Sequence, residues 1–329
     1  MSKWFVVGIL FCGSTFAADY QPQVREYFIA AENVKWDYAP TGENLIAPKM
    51  GLGDWGDQLV YDKVRYIEYA DATFTKKKEQ DRHLGILGPI IRGVVGDTLK
   101  VHFKNRGTEP HSIHPHGVFY TKENEGANYG GMNTPGGAVP PGEDFVYTWD
   151  VTEEAGPAEH DLSSVVWFYH GHVDSVKEIY QGLLGALIVT DAEHANADGT
   201  PNDVDREFVN LFMIFNENED GDEEEGDLMH AVNGYIFGNL RGLDMNKGDR
   251  VRWHLLGMGT EVDLHTPHWH GGTVVHEGHR RDSVDLLAGT MTSADMVALN
   301  PGKWLYHCHV TDHITAGMIT MYTVHDPGE

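Results

Sequence analysis

Cysteine is nearly absent from this chain: 329 residues carry two, Cys12 and Cys308. At most one intramolecular disulfide can form, which excludes a small module held together by disulfides. Basic charge is scarce as well. Twenty-four Lys and Arg stand against fifty Asp and Glu, a formal charge of −26 with histidine neutral. That leaves no basic patch to grip nucleic acid or anionic lipid independently of sequence, whereas cationic partners and metal ions stay open. Past the N-terminus no stretch approaches the ~18 consecutive apolar residues of a membrane span, so no membrane insertion is expected of the mature chain.

What the chain has instead is length, a 41% hydrophobic fraction and twenty histidines. At ~150 residues per domain the length suits about two domains, each able to bury a core. Residues 1–18 show Lys3, the apolar run Trp4–Phe11 and small residues up to Ala17 and Ala18, the three-part pattern of a secretory signal. Its removal takes Cys12 with it and leaves Cys308 as the one thiol. An unpaired thiol in a periplasmic or secreted protein sits in an oxidising compartment, so something is expected to protect or use it.

Short β-branched and aromatic runs such as Leu99–Phe103, Phe145–Trp149 and Leu187–Val189 are separated by turns rich in the 38 glycines and 14 prolines. Many short strands joined by turns read as an all-β protein of sandwich type. The chain also repeats itself. Gly96-Asp97-Thr98-Leu99-Lys100-Val101 is answered by Gly248-Asp249-Arg250-Val251-Arg252-Trp253. His111-Ser112-Ile113-His114-Pro115-His116-Gly117 is answered by His265-Thr266-Pro267-His268-Trp269-His270-Gly271, and Trp167-Phe168-Tyr169-His170-Gly171-His172 by Trp304-Leu305-Tyr306-His307-Cys308-His309. The order is the same in both halves, which predicts two homologous sandwiches over 19–195 and 204–329 joined by a linker at 196–203.

Eleven histidines fall in these clusters. Side chains alternate along a strand, so a His-x-His triplet puts both imidazoles on one face and the middle residue on the other. His307 and His309 then face away from Cys308, and His265 falls opposite His268 and His270. Cys308 and His265 can meet inside the second half, and His313 and Met318 complete His-Cys-His-x3-His-x4-Met. Cysteine, two histidines and a weak axial methionine are the ligand set of a blue copper site, and binding copper would protect the thiol. In the first half Gly171 and Val176 stand where Cys308 and His313 stand in the second, so no blue centre can form there, and His111 is left as a buried, hydrogen-bonded histidine. The four His-x-His pairs, His114/His116, His170/His172, His268/His270 and His307/His309, supply eight imidazoles, which suits a cluster of several copper ions between two domains.

These motifs resemble the four copper motifs of the multicopper oxidases over nearly all of the mature chain. The likeness is strongest to the ceruloplasmin and hephaestin group, through Tyr27-Phe28-Ile29-Ala30-Ala31, His83-Leu84-Gly85-Ile86-Leu87-Gly88-Pro89, His172-Val173-Asp174-Ser175-Val176-Lys177 and His307-Cys308-His309-Val310-Thr311-Asp312-His313. The resemblance implies two cupredoxin-like Greek-key β-sandwich domains and four copper ions per chain. It implies type 1 copper at His265, Cys308, His313 and Met318, and type 2 copper at His114 and His268. The binuclear type 3 pair would fall to His116, His170, His172, His270, His307 and His309. The implied activity is one-electron oxidation of a reductant coupled to reduction of dioxygen to water.

The family departs from this chain in size, since ceruloplasmin-like chains have six such domains in a ring and this one has two. Three copies head to tail would rebuild six domains, which predicts a homotrimer with trinuclear clusters at subunit interfaces. For the reductant, Glu225, His230 and Asp312 match the positions that hold iron in the ceruloplasmin group, and their hard carboxylates favour ferric over ferrous iron. A ferroxidase is therefore expected, with a laccase-like oxidase of small phenols or amines as the alternative. A nitrite reductase is disfavoured by Gly171 and by the intact His307/His309 pair, and a copper-binding scaffold by the complete ligand set. Methionine-rich segments suited to cuprous ion are lacking. Tyr120 matches the place where two-domain oxidases have a tyrosine near the type 2 copper, as a source or buffer of an electron, and Glu125 is a candidate proton donor. Glu261 and Asp263, at even spacing from His265, are candidates to orient it.

Overall fold

In Thr98–Arg106 the side chains of Leu99, Val101 and Phe103 are buried while Lys100, His102 and Lys104 between them stay partly exposed. That two-residue period makes the segment one face of a sheet over a core. The computed structural model describes residues 20–53, 56–218, 227–326 and 328. The expected signal segment and Glu225 lie outside them.

The first half contains β1 (Val24–Asp37), β2 (Val60–Tyr69), β3 (Ile91–Val94), β4 (Thr98–Arg106), β5 (His114–Pro115), β6 (Asp144–Asp150), β7 (Ser164–His170), α1 (Ser175–Gln181) and β8 (Leu184–Thr190). These strands form two sheets, in the orders β2-β1-β4-β6 and β3-β8-β7-β5. The second half contains β9 (Arg206–Asn216), β10 (Leu228–Val232), β11 (Asp244–Asn246), β12 (Arg250–Gly257), β13 (Leu264–His265), β14 (Pro267–Trp269), β15 (Val274–His276) and β16 (His279–Arg281). It continues with β17 (Leu286–Leu287), β18 (Thr290–Val297), β19 (Gly302–Cys308), α2 (Thr311–Thr315) and β20 (Ile319–His325). Its main sheets run β10-β9-β12-β18-β15-β16 and β11-β20-β19-β14.

The sequence repeat is thus a repeat of topology. β1/β4 and β9/β12 are the parallel pairs of the first sheets, and β3/β8 and β11/β20 those of the second sheets. Parallel neighbours require crossover connections, so each half is a sandwich whose chain passes from one sheet to the other.

The segment between the halves is more than a tether. β8 and β9 are buried along nearly their whole length, with no alternation. The reason is that each lies between two cores. Leu187 and Val189 face the first sandwich core, whereas Leu184, Ala186 and Ile188 face a third apolar cluster. Phe208, Phe212 and Ile214 face the second sandwich core, and Val209, Leu211, Met213 and Phe215 face that same third cluster. Trp36, Ile86 and Phe168 from the first half and Ile236, Leu256 and Met258 from the second complete this shared core. Beside it the buried Arg252 donates to Ser163 and Ser164 of the first half and pairs with Asp203 and Asp295. The two sandwiches are therefore joined by core packing as well as by the connecting segment.

Candidate metal centres

β14 and β19 pair antiparallel with Pro267 opposite Cys308 and His268 opposite His307. This register sends Cys308 inward and hands the histidines to a different site. Cys308 is fully buried in the second core together with Met318. Its Sγ lies 3.9 Å from Nδ1 of His265 and 3.6 Å from Nδ1 of His313. The three ligand atoms lie within 4.8 Å of one another, and all three residues are buried. Met318 is tied into the same knot by its backbone, donating to the His313 carbonyl and accepting from the Cys308 N–H.

The groups around this knot prepare it for a metal. The fully buried Asp263 carboxylate accepts from His265 Nε2 at 3.1 Å and from the Ile214 and Thr260 N–H groups. With its proton on Nε2, His265 turns the bare Nδ1 lone pair toward the sulfur, so Asp263 orients the ring as sequence spacing suggested. Burial pushes the Cys308 thiol above its ordinary value. Burial first, and neighbouring imidazoles second, lower His313 to about 4. His313 is thus neutral and ready to bind, and a metal that bound the Cys308 sulfur would displace its proton.

The remaining histidines form two open clusters, one per half. Among the described residues His114, His116 and His170 make one group and His268, His270 and His307 the other, and neither mixes residues of both halves. Strand register builds each: His114 is paired with His170 across β5/β7, as His268 is with His307 across β14/β19. The His172 ring lies 5.0 Å from that of His114, and the His309 ring 5.2 Å from that of His268.

Four backbone carbonyls, those of Glu125, Gly171, Asp282 and Cys308, receive the Nδ1–H of His114, His170, His268 and His307 respectively, at 2.7–2.8 Å. A carbonyl can only accept, so these rings carry their proton on Nδ1 and present bare Nε2 atoms. Nε2 of His116 and His170 approach to 3.1 Å, and those of His270 and His307 to 3.0 Å. Burial, reinforced by neighbouring imidazoles, lowers His116 to about 4 and His170 to about 3. Neutral imidazoles converging on one point are what a metal ion requires.

The other candidates are placed as follows. His230 on β10 has its ring 5.3 Å from that of His313 and tilted to it, with its Nδ1–H donated to the Leu228 carbonyl. Asp312, on α2, acts electrostatically on both His230 and His313. Tyr120 lies 6.0 Å from the His114 ring. Glu125 reaches the first cluster through its carbonyl. Burial raises its carboxyl, but hydrogen bonds from Lys122 and Tyr129 outweigh that and leave it below the ordinary range, hence ionised. His111 is buried and donates Nδ1–H to Glu178 at 2.6 Å. Glu178 escaped the sequence reading, because it aligns with no ligand of the second half. The one available signal was a carboxylate in the segment that follows His172.

The multicopper oxidase family is matched twice, by residues 67–194 and by residues 209–328. The chain belongs to the multicopper oxidase family. This multicopper oxidase is 39% identical to human Ferroxidase HEPHL1, 40% to human ceruloplasmin and 35% to human hephaestin, over 91%, 91% and 96% of its own length. It spans only 29%, 30% and 31% of those relatives. A solved structure described as a multicopper oxidase superposes with a TM-score of 0.66 at 22% identity, covering 92% of this chain and 89% of that one, which supports the fold. For a multicopper oxidase the expected metal is copper. The donor set fits it: a buried thiolate with two Nδ1 atoms in one place, and convergent Nε2 atoms in two others.

Proposed function

We propose that this multicopper oxidase is a ferroxidase, with His265, Cys308, His313 and Met318 holding type 1 copper and eight histidines holding a type 2 ion and a type 3 pair. Copper held by these residues would supply one-electron chemistry that couples oxidation of a reductant to the four-electron reduction of dioxygen to water. The observation that carries the choice of ferrous iron is the place of His230. Its ring lies tilted at 5.3 Å from that of His313, and the Asp312 carboxylate acts electrostatically on both imidazoles. An iron ion bound by His230 and Asp312 would sit one imidazole away from the type 1 position, and Glu225 would add a second carboxylate. The likeness to a relative named as a ferroxidase supports this reading.

From Cys308 the route onward is short. His307 and His309 are its sequence neighbours, so the thiolate and two trinuclear ligands share one stretch of backbone. Tyr120 beside His114 is suited to supply an electron. Glu125 would deliver a proton only after Lys122 moved away from its carboxylate.

The two histidine faces complete each other between copies, in a homotrimer whose first-half face meets the second-half face of the next copy. Support comes from each group drawing its residues from one half alone and from the apolar residues around them. Val173, Val176, Phe119 and Met132 are exposed in the first half, near or following its histidine motifs in sequence. A recess of about 820 Å³ lined by His268, His270, Met296 and Trp304 carries the exposed Val297 and Leu299 in the second. Apolar surface beside metal ligands is what an interface covers. A secreted or periplasmic location follows from the N-terminal signal pattern, and no helix among the described residues is long and apolar enough to cross a membrane.

Two experiments test this. Asp312→Ala and His230→Ala should cut ferrous oxidation about 10–100-fold while sparing a bulky diamine, and equal loss on both substrates would remove iron from the proposal. Copies lacking His114 and His116, mixed with copies lacking His268 and His270, should regain oxygen consumption that neither has alone. A fully copper-loaded monomer in light scattering would rule out the shared cluster.

A further inference from the structure

The first half has lost its blue copper position, yet the interior there is filled. Glu178, on α1, is 2% exposed. One oxygen accepts the Nδ1–H of His111 at 2.6 Å. The other accepts the backbone N–H of Val173 at 2.7 Å and of Asp174 at 3.3 Å. His111 lies three residues before His114, and Val173 directly follows His172. A single carboxylate therefore ties together the two segments that carry the His-x-His pairs. The Ser112 hydroxyl adds a second tie, accepting the His172 N–H at 3.1 Å.

Gly171 makes room for this arrangement. A Cβ at position 171 would come within 2.7 Å of Glu178 Cδ and 2.8 Å of Oε2. The missing cysteine and the buried glutamate are thus sterically one feature, since a side chain at 171 and the Glu178 carboxylate cannot share the space. In the second half the side chain at the matching position makes Sγ contacts of 3.4–3.9 Å to Thr266, His265 and His313, and the segments are otherwise joined through backbone, by the β14/β19 pairing and by the His309 N–H donated to the Thr266 carbonyl at 2.9 Å. Such sulfur contacts are weak, so the side chains at that position brace the two segments less firmly than the Glu178 carboxylate does until a metal binds them.

We propose that Glu178 is a positioning residue that takes over the structural part of the lost copper centre, holding His114, His116, His170 and His172 in place before any metal arrives. The first-half face is then preorganised in the copper-free chain, while the second-half face is completed by its own copper. This rests on the oxidase reading for what the histidines bind, and on the coordinates alone for how they are held.

The test compares wild type with Glu178→Ala, His111→Ala and Glu178→Gln in the full chain. The readouts are copper content, the visible copper–thiolate absorption and the electron paramagnetic resonance of the type 2 ion. The two alanine variants should keep the copper–thiolate band while their copper content falls toward the type 1 ion alone. Glu178→Gln keeps an oxygen for the Val173 and Asp174 N–H groups and an N–H for the other His111 tautomer, so it should retain most of the copper. Full copper and an unaltered type 2 signal in Glu178→Ala would overturn the proposal. Hydrogen exchange on copper-free wild type covers the case in which alanine variants do not fold. Residues 171–178 should exchange at least ~10-fold more slowly than residues 309–316, and equal exchange would overturn the proposal. Failure of the wild type to take up copper at its histidine faces would sink the oxidase reading, and the exchange comparison would still decide the role of Glu178.

Discussion

Two sandwiches with the same strand order treat the same interior position in opposite ways. In the second half it holds a thiol, two imidazoles and a methionine, with Asp263 fixing one ring from behind. In the first half it holds a carboxylate, one imidazole and a glycine. Both solutions bury polar groups, which is costly unless every one is bonded. The first half meets that requirement for the carboxylate, with three donors on its two oxygens, and leaves His111 Nε2 without a hydrogen-bond partner. The second half meets it only in part, and leaves a buried thiol whose proton is hard to remove until a metal replaces it. A stable fold and a reactive site are therefore separable demands, and the chain places one in each half.

The comparison can be broken most drastically at the thiol. Cys308→Ser should abolish the copper–thiolate absorption and lower oxygen consumption by more than the roughly 10–100-fold that loss of a merely orienting group costs, while melting of the copper-free chain changes little. A retained visible band would show that the metal lies elsewhere. Next in size is Asp263→Ala. Ile214 N–H, Thr260 N–H and His265 Nε2–H would lose their acceptor in the core, a cost of about 3 kcal/mol or more in chemical denaturation. An effect under about 1 kcal/mol would mean that the carboxylate is dispensable.

Acid gives a smaller and graded contrast. His116, His170 and His313 titrate near 4, 3 and 4 when folded, against an ordinary 6.5. Between those values the unfolded chain binds protons that the folded chain refuses. Stability of the copper-free protein is therefore full above about pH 6.5 and falls as the pH drops toward 4. Melting temperature against pH checks this, and His116→Gln should flatten the slope. The smallest effect is expected at Lys177→Ala, which removes the exposed ion pair to Glu109 beside the buried Glu178–His111 bond. A change under about 0.5 kcal/mol would show that the buried bond alone holds α1 against the 109–112 segment.

Much of the arrangement of the candidate ligands is legible in the sequence. The His-x-His spacing, the inward Cys308 and the repeat between halves are consequences of strand alternation, a property of local backbone geometry. The shared core was not read from the pattern, although the apolar run Phe208–Phe215, interrupted only by Asn210, is the kind of strand that is buried on both faces. Glu125 shows a different limit: its sequence position near His114 suggested a proton donor, whereas the structure puts its carbonyl on the ring and its carboxylate on Lys122.

By itself the sequence determined which side chains are candidates to hold a metal, in which half the thiol lies, and that the fold is built twice from strands. Tertiary structure alone decided that each histidine group is drawn from one half, that β8 and β9 fuse the halves, and that Glu178 fills the interior position where the second half has its thiol. The reason is range. Ligand spacing is written into neighbouring residues, but the partner of a buried carboxylate 67 residues away from it in sequence is chosen only when the sheets pack.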